Sequence, residues 1–181
     1  MDYAKIKKKH NVDTLYVLEV ETPSGQLIGY LKAPDLMLMD MFMANAFAKD
    51  EIAAIRAILP TLWLEGDRAI LSDEMNFQSA AKQLGEILKS NEIRFSKPLA
   101  LYVFEVTDEA GNVYGCELKH PTLEQTAIIN QKNPLVSFLS LLDKIWYQGD
   151  ERMKTDTRSL TALFGAFNTN LENRVSTLKK Y

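Results

Sequence analysis

The chain has 181 residues, 46% of them hydrophobic and 25% charged, so it carries enough apolar material for a core of its own without disulfide or metal staples. A single cysteine excludes an internal disulfide, and with only two histidines it offers no ligand set of recognisable metal spacing. The formal net charge of −3 is unevenly spread: residues 14–93 hold 6 basic and 12 acidic side chains, residues 97–181 hold 10 of each, and neither half is the basic surface that tracks phosphates.

Residues 1–13, with "KIKKKH" at 5–10, read as a basic, solvated and mobile N-terminal tail. No apolar segment of signal-peptide length comes after it. The methionine-rich run further on is too short, and is broken by Asp40, for a membrane span of roughly 20 residues. A protein of the reducing cytoplasm is expected, with neither membrane nor nucleic acid as partner.

From residue 14 the elements succeed one another clearly. "TLYVLEVE" is a strand, "TPSGQ" a glycine-bearing turn, and "LIGYLK" the second strand of a hairpin. Pro34 then stands where a first helical turn tolerates it, opening "PDLMLMDMFMANAFAKD". A second helix runs through "DEIAAIRAILPTLWLEG", apolar at 52, 55, 58, 59, 62 and 63, with Pro60 expected to kink or split it. Gly66 is expected to end that helix in the left-handed conformation, and Asp73 to cap a third. "KSNEIRFSKP" reads as a polar linker.

After the linker the pattern returns. "LYVFEVTDEAGNVYGCELKHP" from Leu101 matches "LYVLEVETPSGQLIGYLKAP" from Leu15, and "IWYQGDERMKTD" from Ile145 matches "LWLEGDRAILSD" from Leu62, in the same order at offsets between 83 and 87 residues. Self-similarity in one order at a nearly constant offset signals a tandem duplication. The fold class is therefore α+β: two copies, residues 14–93 and 94–181, each a β-hairpin followed by about three α-helices. Trp63, Gly66, Asp67 and Asp73 recur as Trp146, Gly149, Asp150 and Asp156, which reads as core anchor, helix stop and helix cap.

Candidates for chemistry are few. Cys116 and His120 lie four apart on an expected strand, so their side chains could point the same way as nucleophile and base, but no activating group or oxyanion site accompanies them. Tyr30 and Ala33 stand at the equivalent positions of the first copy, so the pair is not repeated. No glycine-rich phosphate loop follows a strand, and no carboxylate pair stands apart. No enzymatic activity, catalytic residue, metal or cofactor is expected.

The methionine helix carries the functional expectation. Aligned on the two prolines, Leu36, Met41 and Phe42 match Leu123, Ile128 and Ile129 and read as core, whereas Met37, Leu38, Met39 and Met43 match Glu124, Gln125, Thr126 and Asn130. An outer face that is polar in one copy and apolar in the other implies something that covers it. Met37, Leu38, Met39, Met43 and Phe47 are accordingly the expected partner-binding residues. Methionine suits a contact that accepts varied shapes because it is unbranched and polarizable. Packing inside the monomer and a homo-oligomer are the other covers weighed.

A hairpin, then "YLKAP" or "ELKHPT", then short helices with a Trp and a Gly before an Asp-capped last helix, resembles the tail assembly chaperones of long-tailed bacteriophages. In that family a small, mainly helical protein coats the tape measure protein and recruits tail tube subunits. The resemblance covers most of each copy, although this chain carries two units where the family usually has one. It implies a non-catalytic assembly chaperone or adaptor in the bacterial host cytoplasm, with tape measure or tail tube proteins as partners. The alternative from another class is a small-ligand or regulatory module with a pocket between the copies.

Overall fold

The computed structural model describes residues 3–48, 50–96 and 101–172. The protein is α+β, with antiparallel sheets and helices. It divides into two compact units, Met1–Lys89 and Ser90–Tyr181.

The first unit opens with a helix where a mobile tail is expected. Helix α1 (Tyr3–His10) ends at Asn11, in the left-handed region at φ 52°, and the Val12 N–H reaches back to the Lys7 carbonyl at 3.1 Å. That is the hydrogen bond of a Schellman stop. Ile6 is buried, so the basic segment has an apolar side that packs. Strands β1 (Leu15–Thr22) and β2 (Gly25–Lys32) form the expected hairpin, turning at Gly25 with φ 128°. Helix α2 (Leu36–Ala48) begins after Asp35, whose carboxylate accepts the Leu38 N–H at 2.9 Å. Pro34 thus precedes the cap rather than entering the first turn.

Helix α3 (Glu51–Leu62) is capped by Asp50 and contains Pro60 in its last turn without being split. Only one backbone hydrogen bond is forfeited there, and the helix stops two residues later. The next element is a strand, not more helix. β3 (Trp63–Gly66) pairs antiparallel with β2, with a bulge between Tyr30 and Leu31. Gly66 therefore ends a strand: its φ is 129°, and a Cβ there would stand 2.3 Å from the Ile28 carbonyl oxygen. Trp63 is half-buried, with its ring over Gly29. One helical turn, α4 (Ala69–Ser72), leads to α5 (Glu74–Leu88), capped by Asp73 through the Asn76 N–H at 2.9 Å. The core lies between the sheet and the helices, with Leu18, Val20 and Leu31 of the strands, Ile58 and Leu62 of α3, and Phe77 and Leu84 of α5 all buried.

The second unit begins inside the expected linker, where Glu92–Ser96 forms strand β4 and pairs with β5 (Leu101–Thr107). Alternating Ile93 and Phe95 give this stretch the period of a half-buried strand, a signal its polar neighbours obscure. β6 (Val113–Lys119) completes the hairpin. Asp108 closes its turn by accepting the Ala110 and Asn112 N–H groups, and hydrogen bonds from the Asn112 side-chain amide first, then its backbone, hold the carboxyl below the usual carboxylate range. A single capped turn, α6 (Leu123–Thr126), precedes α7 (Pro134–Ile145). β7 (Trp146–Gly149) pairs with β6 with a bulge between Glu117 and Leu118, and Gly149, φ 148°, ends it. α8 (Arg152–Thr155) and α9 (Thr157–Glu172) complete the described chain, Asp156 accepting the Ser159 N–H at 2.9 Å. The expected continuation of the last helix to the C-terminus lies outside the described residues. Here the core is aromatic: Phe138 meets Phe164 edge-on at 5.3 Å and Phe167 at a tilt at 5.2 Å, and Tyr102 meets Phe167 edge-on at 6.2 Å.

Candidate functional site

Helix α2 holds the expected partner-binding residues, and the structure separates them. Leu38 and Met39 are 4% and 1% exposed and belong with Phe42 to the side that packs, α3 being the neighbouring helix. Met43 is half-buried. Met37, at 74%, and Met41, at 46%, are the exposed large side chains. The side chain of Phe47 lies outside the described residues.

Four expected positions thus divide into two in the core, one at its margin and one outside, while Met41 moves from expected core to surface. Successive helical residues are rotated by about 100°, so residues 37, 38 and 39 cannot share one face, whereas 38, 39 and 42 can, as can 37 and 41. The alignment with the second unit carries little information because Glu124, Gln125 and Thr126 lie in the four-residue α6 and Ile128, Ile129 and Asn130 lie outside any helix, so the second unit has no helix long enough there to define a buried and an outer face. Burial reaches further round α2 than its apolar residues: Asp40 is buried too, at 6% exposure. Met75, on α5, is 83% exposed, so among the described residues the first unit carries three exposed methionines, while Met153 of the second is buried.

Cys116 is buried on the core side of β6, and burial first, then the Glu117 carboxylate, pushes its thiol up to about 12. A group so placed is almost entirely protonated at neutral pH and packs as a small apolar side chain. His120 lies just past the end of β6, its ring 4.3 Å from that of Tyr102. The strand register also revises the correspondence between the units: Gly29 faces Gly66 as Cys116 faces Gly149, so the counterpart of the thiol is a glycine, not Tyr30.

Two hollows open on the second unit. One, of about 410 Å³, is lined largely by polar and charged residues, among them Asn91, Asp108, Tyr114, Arg152, Asp156 and Arg158. Inside it Asn91 donates to Asp156 at 3.1 Å and to Ser159 at 2.9 Å, and the Tyr114 and Ser159 hydroxyls are 2.6 Å apart. The Arg152 guanidinium lies 3.9 Å over the Tyr114 ring and holds the Asp150 carboxyl below its ordinary range by hydrogen bonding. Arg158 pairs with Glu109. Nothing in the sequence marks this cluster, because its members come from six separate elements and turns. The other hollow, of about 390 Å³, lies over Gly115 on the sheet. Among the described residues no group of three or more His, Cys, Asp or Glu side chains could hold a metal ion, and no helix is long and apolar enough to cross a membrane.

Comparison with protein families, with curated proteins and with solved structures finds no match to this chain.

Proposed function

We propose that this protein is an assembly chaperone or adaptor, built from a duplicated unit, that binds an apolar segment of another protein through the exposed methionines of α2. The observation that carries the reading is the pair Met37 and Met41, one turn apart and exposed on a helix otherwise buried around most of its circumference. A rigidly seated helix that presents unbranched thioethers to solvent offers a firm platform with an adaptable surface. The resemblance to phage tail assembly chaperones makes tape measure or tail tube proteins the partners of choice, in a bacterial cytoplasm.

The test is the double variant Met37→Lys, Met41→Lys, expressed in the native source beside the unaltered chain. Both residues are exposed, so the melting temperature should hold while a partner that co-purifies with the unaltered chain, or its self-association in light scattering, is lost. Retention of the same partner by the double variant overturns the proposal.

A second reading, a small-ligand module, is favoured by the hollow around Tyr114 and Arg152 within the second unit. A metabolite panel would raise the melting temperature of the unaltered chain and not that of Arg152→Ala if a ligand binds there.

A further inference from the structure

The two sheets differ on the faces turned away from their cores. On the first, β2 is buried at Gly29, Tyr30 and Leu31 in succession, which requires cover on both sides. The outer cover is α1: the Tyr3 ring lies 6.3 Å from that of Tyr30, Ile6 is buried, and Lys9 and His10 both engage Glu65, which faces Tyr30 across β2 and β3. On the second, β6 alternates strictly between buried and less buried residues. In register, the place of Tyr30 and Glu65 is taken by Glu117 and Gln148. The hollow of about 390 Å³ lies there.

We propose that this hollow is a docking site for a short, lysine-rich amphipathic helix of another protein, seated as α1 is seated on the first sheet. Gly115 is part of its lining and tolerates no side chain, since a Cβ there would stand 2.3 Å from the Phe104 carbonyl oxygen. Val103 and Val113 make its outer floor apolar, and the charged residues of its lining are Glu105 and Glu117. Neither carboxylate is in an ion pair among the described residues, although Arg94 stands opposite Glu105 in register.

Glu105 faces Gly115 and Glu117 faces Val103, so the two carboxylates are diagonal neighbours, about 7 to 8 Å apart at the backbone. Lysines one helical turn apart have a similar spacing, roughly 6 Å. An aliphatic side chain between them would then enter the hollow over Gly115. Because the site is a sheet face and not an edge, a helix fits it better than an added strand. Helix α1 supplies the template on the same molecule: an aliphatic residue against the sheet and a lysine on a carboxylate.

The probe is a fluorescent peptide of residues 2–12, held helical by a hydrocarbon staple replacing Ala4 and Lys8, both exposed in α1. Titrated with the full chain at low salt, it should bind with saturation at one site. Binding should weaken about tenfold or more in the double variant Glu105→Gln, Glu117→Gln, whose melting temperature should be unchanged, and should weaken with added salt. It should be unaffected by Glu65→Lys and by Met37→Lys, Met41→Lys, so its outcome is separate from that for the α2 surface. No saturation by millimolar peptide, equal binding by the Glu105, Glu117 variant, or loss in Glu65→Lys, which would mean exchange with α1 on the first sheet, overturns the proposal. Self-association of the chain that the Glu105, Glu117 variant abolishes would assign the hollow to a second copy and overturn it likewise.

Discussion

The segments after the two hairpins begin alike and end differently. Each has a proline, a capping residue and a leucine: Pro34, Asp35 and Leu36 in the first unit, Pro121, Thr122 and Leu123 in the second. Both caps are made, by Asp35 to the Leu38 N–H and by Thr122 to the Gln125 N–H, the latter in a full capping box. Yet α2 runs for 13 residues and α6 for 4. Leu, Met and Ala dominate 36–48 and favour helix, whereas Thr126, Ile128, Ile129 and Asn130 lose side-chain freedom in a helix or compete for its backbone, and Asn133 leads straight into Pro134. A cap decides where a helix starts; composition and packing decide whether it lasts. Leu36 is half-buried and Leu123 is 90% exposed, so the second segment also lacks the packing that would compensate for poor propensity.

The likeness of the two units can be broken most severely at the ends of their third strands. Gly66→Ala and Gly149→Ala each force a Cβ into backbone at positive φ, in the second case 2.6 Å from the Cys116 Cα. Strain and overpacking together should cost about 4 kcal/mol in either unit. Urea unfolding followed by Trp63 and Trp146 fluorescence in single-tryptophan variants reads each unit, and a loss confined to one of the two glycines would break the comparison. Met39→Ala comes next, at about 3 kcal/mol for a fully buried methionine, whereas Leu123→Ala should stay within about 0.5 kcal/mol. Equal losses would mean that α6 packs as α2 does.

The caps have smaller effects. Asp35→Ala and Thr122→Ala should each cost about 1 kcal/mol, but only Asp35→Ala should lower the helical circular dichroism appreciably, since only it starts a long helix. Acid sharpens the contrast between the sheets most gently. Hydrogen bonds from Lys9, then His10, hold the Glu65 carboxyl below its usual range. A depressed carboxylate stabilises the folded form above its unfolded pKa, and that contribution is lost as pH falls through the folded value. The protection factors of the α1 amides, with the intrinsic pH dependence of exchange divided out, should therefore fall below the ordinary carboxylate range in the unaltered chain and stay level there in Glu65→Gln; the same profile in both would detach α1 from Glu65.

Both hairpins, the capping aspartates at 73 and 156 and the apolar character of 36–48 were legible in the sequence, because strand alternation, turn glycines and caps are local rules. Third strands β3 and β7 were not legible: "WLEG" and "WYQG" are four residues long, continue the apolar period of the preceding helix, and become strands only because β2 and β6 offer an edge to pair with. The same holds for α1, whose lysines dominate its composition while one buried isoleucine and the Glu65 carboxylate on a distant strand anchor it. Which methionines of α2 face outward was settled only by packing against α3. A stretch apolar on every side specifies that it will be buried, but not by which neighbour or from which direction, since the hydrophobic effect scales with area and has no orientation of its own.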